Sequence, residues 1–206
     1  MLCRRCRRAT AGDGPRPVTR TALVRSTSTS PTFARDELDA GAPALLAVHD
    51  VVDDGTAYRA ELSAVGTDRV AVRQQYMDRA IPEFVGIPAP GVSCWATAHA
   101  DVHWANLTES LRLLDWEGWG RSPEGFDAAT LYAYSPLQPD TAARVRAAFP
   151  VLGSPAGLAA EATVCAQLLQ TVSRGDNLTL ADPLRDWSEE LRRRQWRPRK
   201  WTSARY

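Results

Sequence analysis

The chain has 206 residues, of which 44% are hydrophobic and 24% are charged. This composition suffices for one hydrophobic core and excludes a wholly disordered chain. No apolar run approaches the roughly 18 residues of a membrane helix, so we expect no membrane-spanning segment. Four cysteines are too few for a disulfide scaffold, and a net charge of +1 excludes a chain that is basic throughout, as a nucleic-acid binder would be.

The charges are segregated along the chain. Residues 1–35 contain eight arginines and one acid, and residues 191–206 contain six arginines, one lysine and no acid. Residues 36–190 hold 23 acids and 10 bases, a net charge of −13. We therefore predict a disordered basic leader, a folded acidic body and a basic Trp/Arg tail. The acidic body favours small cationic ligands over nucleic acid, and polyanion binding by the two ends is the alternative.

The leader also bears on localisation. It contains no apolar segment of the kind found in secretory signals, although its Arg- and Ser-rich, acid-poor composition is shared by mitochondrial transit peptides. We predict a cytoplasmic protein.

In the first half of the body, apolar spacing predicts helices over 36–50 and 56–80, the second ending at Pro82. The prolines and glycines of 81–93 predict a loop. Residues 94–108 begin with a strand-like pattern and then become polar.

In the second half, the short apolar run 111–116 predicts a buried strand, and 117–125 predicts a loop. Asp140 or Thr141 is the predicted cap of the second of four further helices, which are expected over 126–135, 139–149, 155–175 and 181–196. The predicted fold class is mainly α with a small β-hairpin (α+β).

A cluster of polar residues connects the two halves. It follows the pattern H-x-D-x-H-x-x-N, then an apolar run, then D-W-E, and its members are His99, Asp101, His103, Asn106, Asp115 and Glu117. In phosphoryl-transfer sites one carboxylate accepts the proton of the substrate hydroxyl, here Asp101. An amide and a second carboxylate, here Asn106 and Asp115, supply the hard oxygen ligands that Mg²⁺ prefers.

The segments HADVHWANLT and LRLLDWEGWG resemble the catalytic loop and metal-binding segment of the aminoglycoside phosphotransferases and the related choline-kinase-like proteins. The resemblance is good over 95–135 and plausible over 60–190. It implies the C-terminal lobe of the protein-kinase-like fold, with Asp101 as catalytic base, Asn106 and Asp115 as Mg²⁺ ligands, and ATP as phosphoryl donor.

The same resemblance assigns supporting roles. His99 and His103 would support the catalytic loop, and His103 is typical of the phosphotransferase branch. The later segment FDAAT would place Asp127 where the family has an aspartate that braces this loop by hydrogen bonds. Glu117 is a further acidic candidate. The predicted function is ATP- and Mg²⁺-dependent phosphoryl transfer to a hydroxyl of a small cationic molecule.

The sequence departs from the family before residue 94. This part contains no lysine to pair with nucleotide phosphates, and its glycines do not form a strand–turn–strand over them. We therefore expect a C-terminal lobe alone. Three explanations compete: a truncated product that keeps its site residues, a second polypeptide that supplies the missing lobe, and a catalytically silent remnant or binding protein on the same scaffold.

A different chemistry can also use the cluster. His99, Asp101 and His103 alternate, so on a strand they would share one face and, with His49 or Asp115, could hold the Zn²⁺ of a hydrolase. That alternative gives no role to Asn106. A non-functional interpretation treats the acids and amide as turn formers and the histidines as structural.

Overall fold

The computed structural model describes residues 67–107 and 114–195. Within these ranges the regular elements are five α-helices and two β-strands: α1 (Gln74–Ala80), β1 (Trp95–Ala98), β2 (Gly120–Pro123), α2 (Phe126–Ala133), α3 (Pro139–Ala148), α4 (Leu158–Ser173) and α5 (Ala181–Gln195). Strands β1 and β2 pair antiparallel, which confirms the prediction of a mainly helical fold with a small β element. The predicted leader 1–35 and helix 36–50 lie outside the described residues.

Helix α4 forms the centre of the hydrophobic core. Its first three turns are buried almost all round, and most of the buried side chains are small: Ala159, Ala160, Ala162, Thr163, Val164, Cys165 and Ala166. Small side chains let neighbouring backbones approach from several directions, and α1, α2 and α5 all pack on α4. None of the helices in the described part of the chain is long and apolar enough to cross a membrane.

The helix predicted over 56–80 is wrong at residues 67–73, which form an extended segment beside β2. The amide nitrogens of Ala71 and Val72 lie 3.0 and 3.2 Å from the carbonyl oxygen of Arg121, and Val70 forms a parallel bridge with the same residue. Val72 is buried whereas Val70 is 51% exposed. The backbone bonds to Arg121 hold this segment beside β2, and they outweigh the looser helical spacing.

Helical structure also continues past Pro82, where it was predicted to end. Five residues, Ile81–Val85, form a π-helical turn directly after α1. Proline is tolerated because it lies in the first turn of this segment, where a missing N–H breaks no intrahelical bond. The predicted loop 81–93 therefore begins with a helical turn.

The second strand lies further along the chain than predicted. The pairing runs from Trp95 opposite Pro123 to Ala98 opposite Gly120, within the predicted loop 117–125. Residues 111–113 lie outside the described ranges, and Leu114, predicted to be in a buried strand, is 48% exposed. A Cβ atom at Gly120 would lie 2.7 Å from the amide nitrogen of Ala71 in the segment 67–73. The close approach of these two backbones therefore requires glycine at position 120.

The four C-terminal helices form as α2 to α5, within a few residues of the predicted boundaries. The predicted cap of α3 is wrong, because Gln138 is its N-cap residue and makes no capping bond from its side chain. Helix α5 continues to Gln195, so the first five residues of the predicted tail 191–206 are helical. Leu191 is fully buried there, and residues 196–206 lie outside the described ranges.

Candidate active site

The loop between β1 and β2 carries most of the predicted site residues. It follows Ala98 and ends at Gly120, with a 3₁₀ turn at Trp104–Asn106 and another at Trp116–Gly118. Residues 108–113 of this loop lie outside the described ranges. Helix α2 lies next in the chain and contacts the start of the loop.

Asp127, in the first turn of α2, accepts hydrogen bonds from two consecutive backbone amides of the loop. Its carboxylate oxygens lie 3.0 Å from the amide nitrogen of His99 and 2.8 Å from that of Ala100. Ala100 has φ = 71°, the left-handed region that a residue with a Cβ rarely adopts. The two bonds to a charged acceptor offset the cost of this conformation and fix where the loop turns.

His99 is fully buried, and its ring connects two parts of the loop. Nε2 lies 2.9 Å from the carbonyl oxygen of Leu114, which can only accept, so this nitrogen carries the proton. Nδ1 lies 3.3 Å from the backbone amide of Asp101 and accepts from it. His99 therefore has a structural role and holds the segment that precedes Asp115.

Asp101 presents an accessible carboxylate, with 45% of its side chain exposed. Its Oδ2 accepts a 3.0 Å hydrogen bond from Nδ2 of Asn106, and its Oδ1 lies 3.5 Å from Nε2 of His103. Burial alone would raise the pKa of Asp101, but the hydrogen bond and charge of His103, together with His99 and Asn106, outweigh it and lower the pKa. At neutral pH this group is a carboxylate.

Asn106 connects Asp101 to the segment before Asp115. Nδ2 of Asn106 also donates to the backbone carbonyl of Asp101 at 3.0 Å. The backbone carbonyl of Asn106 accepts from the backbone amide of Leu114 at 2.8 Å. Nδ2 makes both side-chain bonds, and Oδ1, the atom that would bind a metal ion, takes no part in them. The backbone N–H of Leu114 is thus bonded to Asn106, and its carbonyl oxygen is bonded to His99.

Asp115 follows Leu114 directly and is exposed, with φ = 57°. The structure therefore brings the segment that carries Asp115 to Asn106 and His99 through backbone bonds. Glu117 is exposed in the following 3₁₀ turn, where its backbone carbonyl accepts from the guanidinium of Arg69. Arg69 and the backbone of Leu114 are contacts that the sequence motif does not indicate.

His103 is buried, and its ring packs against Tyr134, which directly follows α2. The ring centroids lie 5.3 Å apart, with the planes inclined by 55°. Burial, with a contribution from the charge of Asp101, raises the pKa of Tyr134 to about 12. Sequence reasoning missed Tyr134, although its position seven residues after Asp127 puts both on one face of a helix.

Asn106 and Asp115 carry oxygen donors of the kind that Mg²⁺ binds. Mg²⁺ is commonly bound through one or two protein oxygens, with substrate phosphates and water completing the octahedron, and Asn106 and Asp115 would supply such oxygens. In residues 67–107 and 114–195 no group of three or more His, Cys, Asp or Glu side chains is arranged to hold a metal ion. Nδ1 of His99 already accepts a backbone N–H, which leaves the hydrolase alternative without one of its ligands. His49 lies outside the described residues.

Comparison with known proteins provides no relative for this chain. No protein-family model matches it, and neither the curated proteins nor the solved structures contain a match. Function is therefore inferred from the geometry of the loop and from the motif that it carries.

Proposed function

We propose that the chain is a phosphotransferase that uses ATP and Mg²⁺ to phosphorylate a hydroxyl group of a small cationic molecule. One observation carries the proposal. The accessible carboxylate of Asp101 is bonded to the amide of Asn106, whose backbone in turn holds the residue before Asp115. A base, an amide and a second carboxylate are thus linked within one braced loop, as phosphoryl transfer requires.

In this proposal Asp101 accepts the proton of the acceptor hydroxyl. The hydroxyl oxygen of the acceptor bonds to the γ-phosphorus of ATP, and the bond between that phosphorus and the bridging oxygen, which leaves with ADP, breaks. The lowered pKa keeps Asp101 ionised and ready to accept a hydrogen bond from the hydroxyl. Asn106 and Asp115 would hold Mg²⁺, which when bound neutralises charge on the phosphates. Asp127 and His99 hold the loop, so the reacting groups need no rearrangement during transfer.

The acceptor class is argued from charge. The segment 36–190 has a net charge of −13, and a surface of this sign attracts cations and repels anions. An acceptor with amino groups beside its hydroxyl would therefore be enriched near Asp101. The triphosphate is anionic, so its binding depends on Mg²⁺ more strongly than in a basic site.

The chain offers nucleotide phosphates a single lysine, and its other 24 basic residues are arginines. Lys200 is its sole lysine and lies outside the described ranges. This observation favours a second candidate function, a catalytically silent remnant or binding protein on the same scaffold. It also fits an enzyme whose nucleotide-covering lobe comes from a second polypeptide.

Calorimetric titration of the purified chain with Mg·ATP separates these candidates. We expect saturable, metal-dependent binding that Asp115→Asn abolishes and that Asp140→Asn, which neutralises an exposed acid on α3, leaves unchanged. If Mg·ATP does not bind at millimolar concentration, the isolated chain is not a complete phosphotransferase.

Turnover then tests the assigned base. With a panel of amino alcohols and aminosugars as acceptors, we expect Asp101→Asn to lower kcat by a factor of about 10² to 10⁴ while Mg·ATP still binds. Turnover at the wild-type rate in this variant would refute the role of Asp101.

A further inference from the structure

Helix α2 and the residue that follows it contact the loop between β1 and β2 at two places. The carboxylate of Asp127, in its first turn, binds the amides of His99 and Ala100. The ring of Tyr134, directly after its last turn, packs on the ring of His103 at 5.3 Å. Seven residues make almost two helical turns, so both contacts lie on the same face of α2, about 10 Å apart along its axis.

Asp101 lies between these two contacts. On one side it follows Ala100, whose backbone Asp127 holds. On the other side its Oδ1 lies 3.5 Å from Nε2 of His103, the ring that Tyr134 covers. The backbone amide of His103 also donates to the carbonyl of Asp101 at 3.1 Å. The position of the carboxylate therefore depends on where the imidazole of His103 lies.

Helix α2 is a rigid support for such contacts. Five of its apolar side chains are buried against the core, and it packs on the central helix α4: Phe126, Ala128, Ala129, Leu131 and Ala133. Its last turn is secured by the hydroxyl of Ser135, which donates to the carbonyl of Leu131 at 2.7 Å. The ring of Tyr134 is consequently held in place by the packing of the helix to which it is joined.

From this geometry we infer that Tyr134 is a positioning residue: its ring fixes the imidazole of His103, which in turn orients the carboxylate of Asp101. The inference rests on the proposed function as far as Asp101 is a base, but the contact itself does not. The aromatic ring is the part that acts, since it is the ring that faces His103. A raised pKa, to about 12, keeps the hydroxyl neutral, so Tyr134 adds no second negative charge beside Asp101.

The variants separate the ring from the hydroxyl. Tyr134→Phe keeps the ring, and Tyr134→Leu removes it; Tyr134→Met is a second ring-free variant with an unbranched side chain. Tyr132→Leu is the matched control, because it removes the same ring from the same helix. The ring of Tyr132 meets that of Trp187 edge-on, with centroids 5.1 Å apart, and its hydroxyl accepts from Arg146.

The first readout is the histidine ring signals in a two-dimensional NMR spectrum. The chain has three histidines, so His103→Gln identifies the signal of His103. We expect the ring-free variants to move this signal, and Tyr134→Phe and Tyr132→Leu to leave it in place. If the ring-free variants fold and the His103 signal does not move, the inference is wrong.

The second readout is the separation of kcat from KM for phosphoryl transfer. A displaced base lowers the rate of the chemical step and leaves substrate binding intact, so we expect kcat to fall about tenfold or more in the ring-free variants with KM unchanged. Tyr134→Phe should keep wild-type kcat. A loss of equal size in Tyr134→Phe, or an effect on KM alone, would overturn the inference.

The two readouts also separate this inference from the proposed function. If the wild-type chain transfers no phosphoryl group, the proposed function fails, and the NMR comparison still shows whether the ring of Tyr134 lies against His103. If transfer occurs but the ring-free variants keep full kcat, the proposed function stands and the inference about Tyr134 fails.

Discussion

A buried ion pair joins the end of α5 to the core, and breaking it should destabilise the whole fold. Glu161 on α4 is fully buried, and both of its carboxylate oxygens accept from Arg194 at 2.8 Å. Oε1 of Glu161 also accepts from the amide of Gly153 at 3.0 Å, and Arg194 donates to the carbonyl of Ser154 at 3.1 Å. The pair therefore holds α5, α4 and the loop before α4 together.

The perturbation is Arg194→Met, which keeps the aliphatic length and removes the charge. Glu161, whose side chain is 1% exposed, then retains the hydrogen bond from the amide of Gly153 but loses its countercharge. Removing one partner of a buried ion pair typically costs about 3–5 kcal/mol, because the other charge stays buried without compensation. For a chain of this length that cost corresponds to a fall in Tm of roughly 10–15 °C.

Glu161→Gln offers a sharper comparison. Its amide oxygen can still accept from Gly153, and Arg194, with 18% of its side chain exposed, can reach water. The double variant Glu161→Gln/Arg194→Met removes both charges, so we expect it to cost less than Arg194→Met alone. The difference, measured as a double-mutant cycle, gives the coupling between the two residues.

The assay is urea-induced unfolding of the full chain, followed by circular dichroism, with the slope m compared between variants. Arg193→Met is the matched control, since Arg193 precedes Arg194 on the same helical turn and is exposed. We expect it to change the free energy of unfolding by less than about 0.5 kcal/mol. If Arg194→Met costs no more than Arg193→Met, the pair does not hold the C-terminal helix and the reasoning is wrong.

Three further predictions concern single positions. Asp127→Ala should lower the free energy of unfolding by about 3 kcal/mol, because it removes a charged acceptor from two backbone donors. Hydrogen exchange at the amide of Ala100 should also become faster, and unchanged exchange would contradict this prediction. Burial raises the pKa of Cys165 from 9.0 to about 12, so the folded state keeps a proton that the unfolded state releases, and stability should fall as the pH rises through that window. Urea unfolding should show a shallower alkaline decline in Cys165→Ala, and an identical decline would count against the burial. Gly157→Ala should cost roughly 1–3 kcal/mol, because its Cβ would collide with a backbone carbonyl oxygen, whereas Gly91→Ala, which meets no neighbour within 4 Å, should leave Tm unchanged.

The helices were largely predictable because each has a long enough apolar pattern. Helix α4 is 16 residues long, and its composition alone indicates burial. The strand segments are short, and there the pattern is ambiguous. Val72 and Tyr76 are four residues apart, as on a helix face, but the conformation at 67–73 is settled by pairing with β2, which local spacing does not report.

Strand β2 illustrates the opposite error. Its four residues include Gly120 and Pro123, both of which are depleted in strands, so the sequence indicates a loop. The strand forms because Gly120 admits the extended segment on one side and the backbone of β1 pairs on the other. Leu114 shows that an apolar residue in a short run need not be buried. Its backbone carbonyl is bonded to His99, whereas its side chain is exposed.

The candidate site was predictable in its residues and not in its supports. Spacing identifies the acid and the amide, which are five residues apart, and the resemblance alone identifies Asp127. The ring contact of Tyr134 with His103 and the bond of His99 to Leu114 join residues 31 and 15 positions apart, and only the packing of α2 and the course of the loop bring them together.

The arrangement of burial around Asp101 argues against a purely structural loop. A loop that needed only turn formers would have no use for two buried histidines beside an exposed carboxylate, nor for a carboxylate that holds Ala100 in the left-handed region. Strained backbone that persists under several independent restraints is concentrated at sites where a group must be held for chemistry. Here the restraints from His99, Asp127 and Asn106 converge around Asp101, whose carboxylate reaches water, and we expect a positioned base to be held in this way.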